Sequence, residues 1–254
     1  DKFFKKMKLI FEKIKFIKII FGAYAVFSHS KSFTKLLEDF GVHEKKIFQI
    51  PIFFPKTHLK NIVTGNKNYY VLIGQQTEAK GFQHWPSIIK KTPGANFKVL
   101  IYNKQRADQF IQDNDLFEDI VSGRVQVVSE LHDHADVLDL IANAEGVIIT
   151  SSYPSTGEFS FLESIGLGKP VFLFDVGVHK DVIRNNINAF LFPQNDINLL
   201  CDALNKFCNT DIDSLNEIDV QSRILFKDLT DVSVQERVFK NIQITLAQSE
   251  GNNL

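Results

Sequence analysis

From Tyr69 onward, short apolar runs recur along the chain, separated by segments in which apolar positions return at helical spacing. The runs are YYVLIG, NFKVLIY, RVQVV, VIIT, VFLFD and AFLF, and each reads as a strand. Helices are predicted between them at about residues 80–91, 105–120, 134–144, 158–167 and 179–184. Six apolar strands alternating with helices predict an α/β fold, a doubly wound parallel sheet with right-handed crossovers. Ahead of this series, AYAVFS (23–28) and KIFQI (46–50) read as strands flanking an amphipathic helix, HSKSFTKLLEDFG, closed by Gly41. Residues 51–68 carry two prolines, a glycine and little periodicity, so a linker and domain boundary are expected there. DINLLCDALNKFC and residues 212–248 read as entirely helical.

The pattern differs in the first twenty residues, where seven lysines face two acidic residues and apolar positions such as Phe3, Met7, Ile10, Ile14 and Ile17 keep helical spacing. Lysines interrupt every apolar run, which excludes a spanning segment or a secretory signal core. A helix packed on its own sheet is one reading, and a basic helix lying on an anionic membrane surface is the other. A start at Asp1 rather than Met reads as a processed or excised piece.

Composition narrows the function. The 254 residues are 44% hydrophobic with a net charge of −1, an ordinary globular balance that argues against nucleic acid as a partner. The two cysteines, Cys201 and Cys208, lack histidines at ligand spacing and read as small apolar residues in a reducing compartment. The Asp-x-Asp triplets at 113–115 and 211–213 do not follow apolar strands and read as loop or cap residues, and no metal is assigned. Ser28, His29 and Asp39 make no hydrolase arrangement, because no Gly-x-Ser-x-Gly elbow occurs.

Three loops follow strands of the predicted sheet and would meet at its carboxyl edge, where ligands bind in such folds. In GQQTEAKG, Gly74 lets backbone approach a ligand and Lys80 beside Gly81 offers a point charge suited to phosphate. SELHD follows RVQVV from Ser129; its His132 and His134 find no third metal ligand and are expected as cap or surface residues. SSYPSTGE opens the helix that bears Glu163. Residues five apart on a helix diverge by about 140°, so Glu158 and Glu163 share a face only if Glu158 stays in the loop.

Taken in order, from about Ala23 to Phe192, these segments resemble the retaining glycosyltransferases of GT-B architecture, the glycosyl transferases group 1 family (family 4). VLIGQQTEAKGF is similar to the family's Gly-Arg-x-x-x-x-Lys-Gly loop, and PSTGEFSFLESIGLGKPVFLFDVGVHKDVI to its Pro-Ser, Leu-Glu-Ala, Gly-Lys-Pro-Val and Asp-x-Gly-Gly elements. The resemblance implies that Glu163 binds the nucleotide ribose, that Lys80 neutralises the diphosphate, and that backbone amides near Ser160, Phe161 and Leu162 cradle it. Gly74, Gln75, Gly81 and Ser129 complete the implied donor site, with Lys80 and Glu158 as the implied catalytic pair. No metal or other cofactor is implied, and the partners are a nucleotide sugar and a glycan or lipid-linked acceptor, at a cytoplasmic location or the inner face of the membrane.

Two positions depart from the family. Gln75 stands where its members usually carry Arg, and the first of its paired glutamates would fall at Ser155, whereas this chain has Glu158. Extent is the third departure, since only residues 1–50 match an acceptor-side domain. The resemblance thus implies a remnant of that domain (1–50), a linker (51–68), a Rossmann-like nucleotide-sugar domain (69–229) and a terminal helix returning toward the N-terminal part (230–254). The leading expectation is a retaining hexosyltransferase, or its donor-binding part, acting in assembly of a surface or lipid-linked polysaccharide. Its alternatives are a degenerate, non-catalytic binding or scaffolding subunit and a sugar-nucleotide epimerase.

Overall fold

The computed structural model describes residues 18–50, 52, 54–55, 59, 62–65, 67–153, 158–184, 187–207, 210 and 212–251. Most of the basic N-terminal segment, Ser155 and Cys208 therefore lie outside the described residues. The chain divides into two compact units, residues 1–51 with 231–254, and residues 52–230.

In the first unit, residues 18–22 are helical and two short strands, β1 (Val26–Ser28) and β2 (Ile47–Gln49), pair in parallel. Between them runs α1 (Lys31–Asp39), whose first turn is closed by the Ser30 hydroxyl accepting from the Phe33 amide at 3.1 Å. Leu37 and Val42 are its buried anchors. The last helix of the chain, α10 (Val232–Gly251), belongs to this unit and sets Phe239 against Phe27, with ring centroids 6.3 Å apart.

The second unit carries a sheet of six parallel strands: β3 (Tyr70–Leu72), β4 (Phe97–Leu100), β5 (Val125–Val128), β6 (Gly146–Ile149), β7 (Val171–Phe174) and β8 (Phe190–Phe192). Their spatial order is β5-β4-β3-β6-β7-β8. The chain thus winds outward from β3 to β5, returns to β6 on the other side of β3, and winds outward again. This reversal places a topological switch point between the carboxyl ends of β3 and β6. Side chains alternate across the sheet, and both faces are covered. Tyr70, Leu72 and Phe172 join Trp85, Ile88, Leu200 and Phe207 on one side, while Val71, Val147 and Leu173 join Ile141, Phe161 and Ile165 on the other. Two covered faces account for the continuous apolar strands.

Helices depart from the expected spans where single residues break them. Residues 80–91 resolve into two 3₁₀ turns, Glu78–Lys80 and Phe82–His84, followed by α2 (Trp85–Lys91), because Gly81 adopts a left-handed conformation with φ of 72°. Residues 105–120 split into α3 (Lys104–Asp113) and α4 (Phe117–Val121) at Asp115, φ 52°, next to fully buried Leu116. The helical stretch 212–248 is two helices, α9 (Ile212–Leu229) and α10, with the Asp231 carboxylate capping the second through the Ser233 amide at 2.9 Å. The remaining helices are α5 (His134–Ala142), α6 (Phe159–Gly166), α7 (Val178–Val182) and α8 (Ile197–Phe207). Within residues 51–68, Phe54 is buried with its ring 5.4 Å from that of Phe226 on α9, and the Gly65 amide donates to the Ala142 carbonyl.

The loops after β3 and β6 are tied together at the switch point. Thr150 accepts from the indole N–H of Trp85 at 2.9 Å, and its hydroxyl lies 3.1 Å from the Gly81 carbonyl oxygen. The amides of Ser152 and Tyr153 both donate to the Ala79 carbonyl. A Cβ on Gly81 would sit 1.9 Å from the Thr150 carbonyl oxygen. Steric overlap and the left-handed backbone together make Gly81→Ala destabilising by about 3 kcal/mol. Urea unfolding followed through the single, fully buried tryptophan, Trp85, measures this as a lowered midpoint.

Candidate functional site

A cavity of about 370 Å³ opens at the carboxyl ends of β3 and β6. Strand β3 delivers Ile73, Gly74 and Gln75 to its wall, and the tied loop that follows delivers Lys80. Strand β6 leads to Ser151, and the start of α6 contributes Glu158, Phe159, Ser160 and Glu163. Glu158 is the cap residue of α6 with extended backbone, φ −104° and ψ 125°, so it has not entered the helix. That is the condition under which two glutamates five residues apart face one space.

Each glutamate is held by a nitrogen-bearing side chain. Lys80 donates to Glu158 Oε1, which also accepts from the Ser151 hydroxyl. Glu163 Oε1 lies 2.8 Å from His134 Nε2. Both carboxylates are buried, with residue exposures of 7% and 3%, and burying unpaired charges there would be prohibitive. Tyr102, on the loop after β4, completes this end of the cavity; partial burial, and then the Glu163 carboxylate, raise its phenol pKa.

The N-terminus of α6 points its amides at the same space. Glu158 gives no side-chain cap to them, so among the described residues no side chain competes with an anion for the first-turn donors. Leu162 is an exception among the residues expected to donate, because its amide is engaged by the Glu158 carbonyl at 3.1 Å. Phe161 and Leu162 direct fully buried side chains into the core.

Of the residues singled out in the sequence, Gly74, Gln75, Lys80, Glu158, Ser160 and Glu163 line the cavity, whereas Gly81 and Ser129 do not. Gly81 acts one step back, by permitting the contact with Thr150. His134, expected as a cap or surface residue, is exposed as expected but does not cap: Asp133 supplies the cap through the Ala135 and Asp136 amides, and His134 turns its ring to Glu163. Tyr102 and Ser151 went unrecognised as well. Their signal was positional, since each follows an apolar strand at the carboxyl edge of the sheet.

A second cavity, about 410 Å³, lies at the amino ends of β3, β4 and β5 beside Tyr69, Lys98 and Arg124. Its guanidinium is already used by Asp119 and by the carbonyls of Ile89, Thr92 and Ala95. Lys98 sits over the Tyr69 ring, 4.4 Å from its centroid. Among the described residues, no group of three His, Cys, Asp or Glu side chains is placed to hold a metal ion. None of the described helices is long and apolar enough to cross a membrane.

A six-stranded, doubly wound sheet with its cavity at the switch point is the Rossmann-like half of the GT-B architecture, and solved structures share it. TarM of S. aureus, in complex with Fondaparinux, alpha-GlcNAc-glycerol and UDP, matches at TM-score 0.70 and 19% identity over 90% of this chain and 45% of its own. Anabaena HepE with UDP matches at TM-score 0.72 and 15% identity, covering 87% and 64%. Sucrose-phosphate synthase of Thermosynechococcus elongatus matches at 0.71 and 16%, covering 91% and 61%. This chain thus spans about half to two thirds of the length of these proteins. No curated protein is similar enough in sequence to count as a match. The model of the glycosyl transferases group 1 family matches residues 53–221, and the chain belongs to that family.

Removing Lys80 strands the buried Glu158 charge. Lys80→Met is expected to destabilise the fold by about 2 kcal/mol, less than the ~3–5 kcal/mol of a fully buried pair because the lysine side chain is 26% exposed. In the double variant with Glu158→Gln most of that loss returns, which a double-mutant cycle of urea midpoints reads as coupling.

Proposed function

We propose that this chain is a retaining glycosyltransferase, or the donor-binding part of one, that takes a sugar from a nucleotide-diphosphate sugar. The observation that carries the reading is the cavity at the switch point. One end offers the Lys80 ammonium and the first amides of α6, and the other offers the Glu163 carboxylate. In the bound state the diphosphate takes Lys80 and the α6 amides, while Glu163 accepts from ribose hydroxyls and Tyr102 flanks the nucleoside. Lys80 then leaves Glu158, whose carboxylate turns to the transferred sugar. As the glycosyl phosphate bond breaks, negative charge grows on the departing diphosphate, and fixed donors with Lys80 stabilise it. That supply of positive charge supports a reaction without a metal or other cofactor.

Residues 1–50 and 230–254 are read as the acceptor-side remnant and the helix that returns to it, with residues 51–68 as the connection to the donor domain. The acceptor is a glycan or lipid-linked glycan, and the lysine-rich start of the chain supports a cytoplasmic site at the inner membrane face. The second reading is a non-catalytic binding subunit. Two facts favour it: Gln75 replaces the family's arginine at the cavity wall, and Glu158 occupies a shifted register.

Calorimetric or saturation-transfer binding of UDP-, GDP- and ADP-glucose distinguishes the outcomes. One of the three binds the wild type, and Glu163→Ala and Lys80→Ala each weaken it at least about tenfold, as loss of a charged hydrogen bond requires. Absence of all binding at millimolar concentration refutes the transferase reading, and binding indifferent to both substitutions refutes the site.

A further inference from the structure

One buried titratable group beside this site has no part in the reading above. His179, near the start of α7, is fully buried, with Nδ1 3.4 Å from the Phe174 carbonyl oxygen. A carbonyl can only accept, so Nδ1 carries the ring hydrogen and Nε2 presents a lone pair. Among the described residues Nε2 has no hydrogen-bond partner, and the other buried side-chain atoms in that condition are Glu158 Oε2 and Asp175 Oδ1. Glu158, Lys80 and Asp175 are the charged groups that act on the imidazole, and the Phe161 ring of α6 packs 5.2 Å from it.

Burial is the largest influence on His179 and holds it neutral; Glu158, the Phe174 carbonyl and Asp175 favour the charged form, and Lys80 opposes it. The Lys80 ammonium is spent on Glu158. An anion that draws Lys80 away removes the opposing positive charge and leaves Glu158 Oε1 without its cation. A dianion then joins two carboxylates beside a single neutral imidazole with a vacant nitrogen.

We propose that His179 is a positioning residue of the donor site, which takes up a proton from solvent at Nε2 when a nucleoside diphosphate binds Lys80, and then holds Glu158 in place of the lysine. This rests on the placement of the diphosphate at Lys80 set out above. The proton balance is simple: one solvent proton is bound at Nε2, and no covalent bond is made or broken. Histidine is suited to the role because its charge changes near neutral pH. By reciprocity, if the ligand promotes protonation, protonation promotes the ligand. Affinity therefore rises as pH falls through the window between the free and bound pKa values of His179, by at most about tenfold per pH unit.

The test is calorimetric titration of UDP-, GDP- and ADP-glucose, whose doubly esterified diphosphate has no group that titrates near neutral pH, into the whole chain near neutral pH, in buffers that differ in ionisation enthalpy. The expected result is a binding heat that varies with buffer and corresponds to net proton uptake, and a Kd that tightens toward acid. In His179→Gln, which keeps a side chain of similar polarity, uptake and pH dependence disappear while binding persists. Lys80→Met supplies a second, ligand-free readout, because it leaves Glu158 facing the imidazole permanently. Its His179 ring resonance, assigned by its loss in His179→Gln, titrates at higher pH than in the wild type. Buffer-independent heat in a wild type that binds overturns the proposal and leaves the nucleotide reading standing. Uptake that survives His179→Gln also overturns it, by assigning the proton to another group such as Glu158. If none of the three nucleotide sugars binds, both readings fall.

Discussion

The contact between Gly81 and Thr150 is the constraint on which the site depends. Two loops that follow adjacent strands approach so closely that no side chain fits at Gly81. Their approach is fixed by Trp85 and Thr150 and by two amides donating to Ala79. This tie carries Lys80 across the switch point to Glu158, a residue 78 positions later in the chain. Without it the ammonium would be an ordinary solvated charge on a turn, and Glu158 would be a buried carboxylate without a cation. The fold thus stores two opposite charges in a water-poor place and leaves one helix terminus uncapped beside them.

Such a site is held ready by its own electrostatics. Lys80 with Glu158, and His134 with Glu163, are pairs in which one partner is buried and the other reaches the cavity. A ligand bearing both anionic and hydroxyl groups can exchange for both pairs without stranding a charge. A purely apolar or purely cationic ligand cannot. That asymmetry agrees with membership of a family of glycosyl transferases, and it ties the chemistry to side chains rather than to the fold alone.

Much of this was legible in the sequence because the strands are covered on both faces and so read as unbroken apolar runs. The same property set their order along the chain, and the Gly-Lys-Pro-Val segment after a Leu-Glu helix carried the family resemblance. Less legible were the places where one residue overrides a pattern. Gly81 and Asp115 interrupt helical periodicity through backbone conformation, which periodicity does not register. His134 looked like a cap residue because it adjoins one, and only the folded geometry brings α5 and α6 together so that it meets Glu163. Tyr102 and His179 were invisible for the same reason, since their importance comes from strands and helices far away in the sequence.

The central claim is that the cavity between the ends of β3 and β6 receives a nucleoside diphosphate. A crystal structure of the whole chain grown with UDP, GDP or ADP tests it most directly. Phosphate oxygens are expected against Lys80 and the first amides of α6, the ribose on Glu163, and Glu158 released from the lysine. A nucleotide bound instead in the cavity beside Lys98 and Arg124, or one in the predicted cavity with the Lys80–Glu158 pair intact, would contradict it.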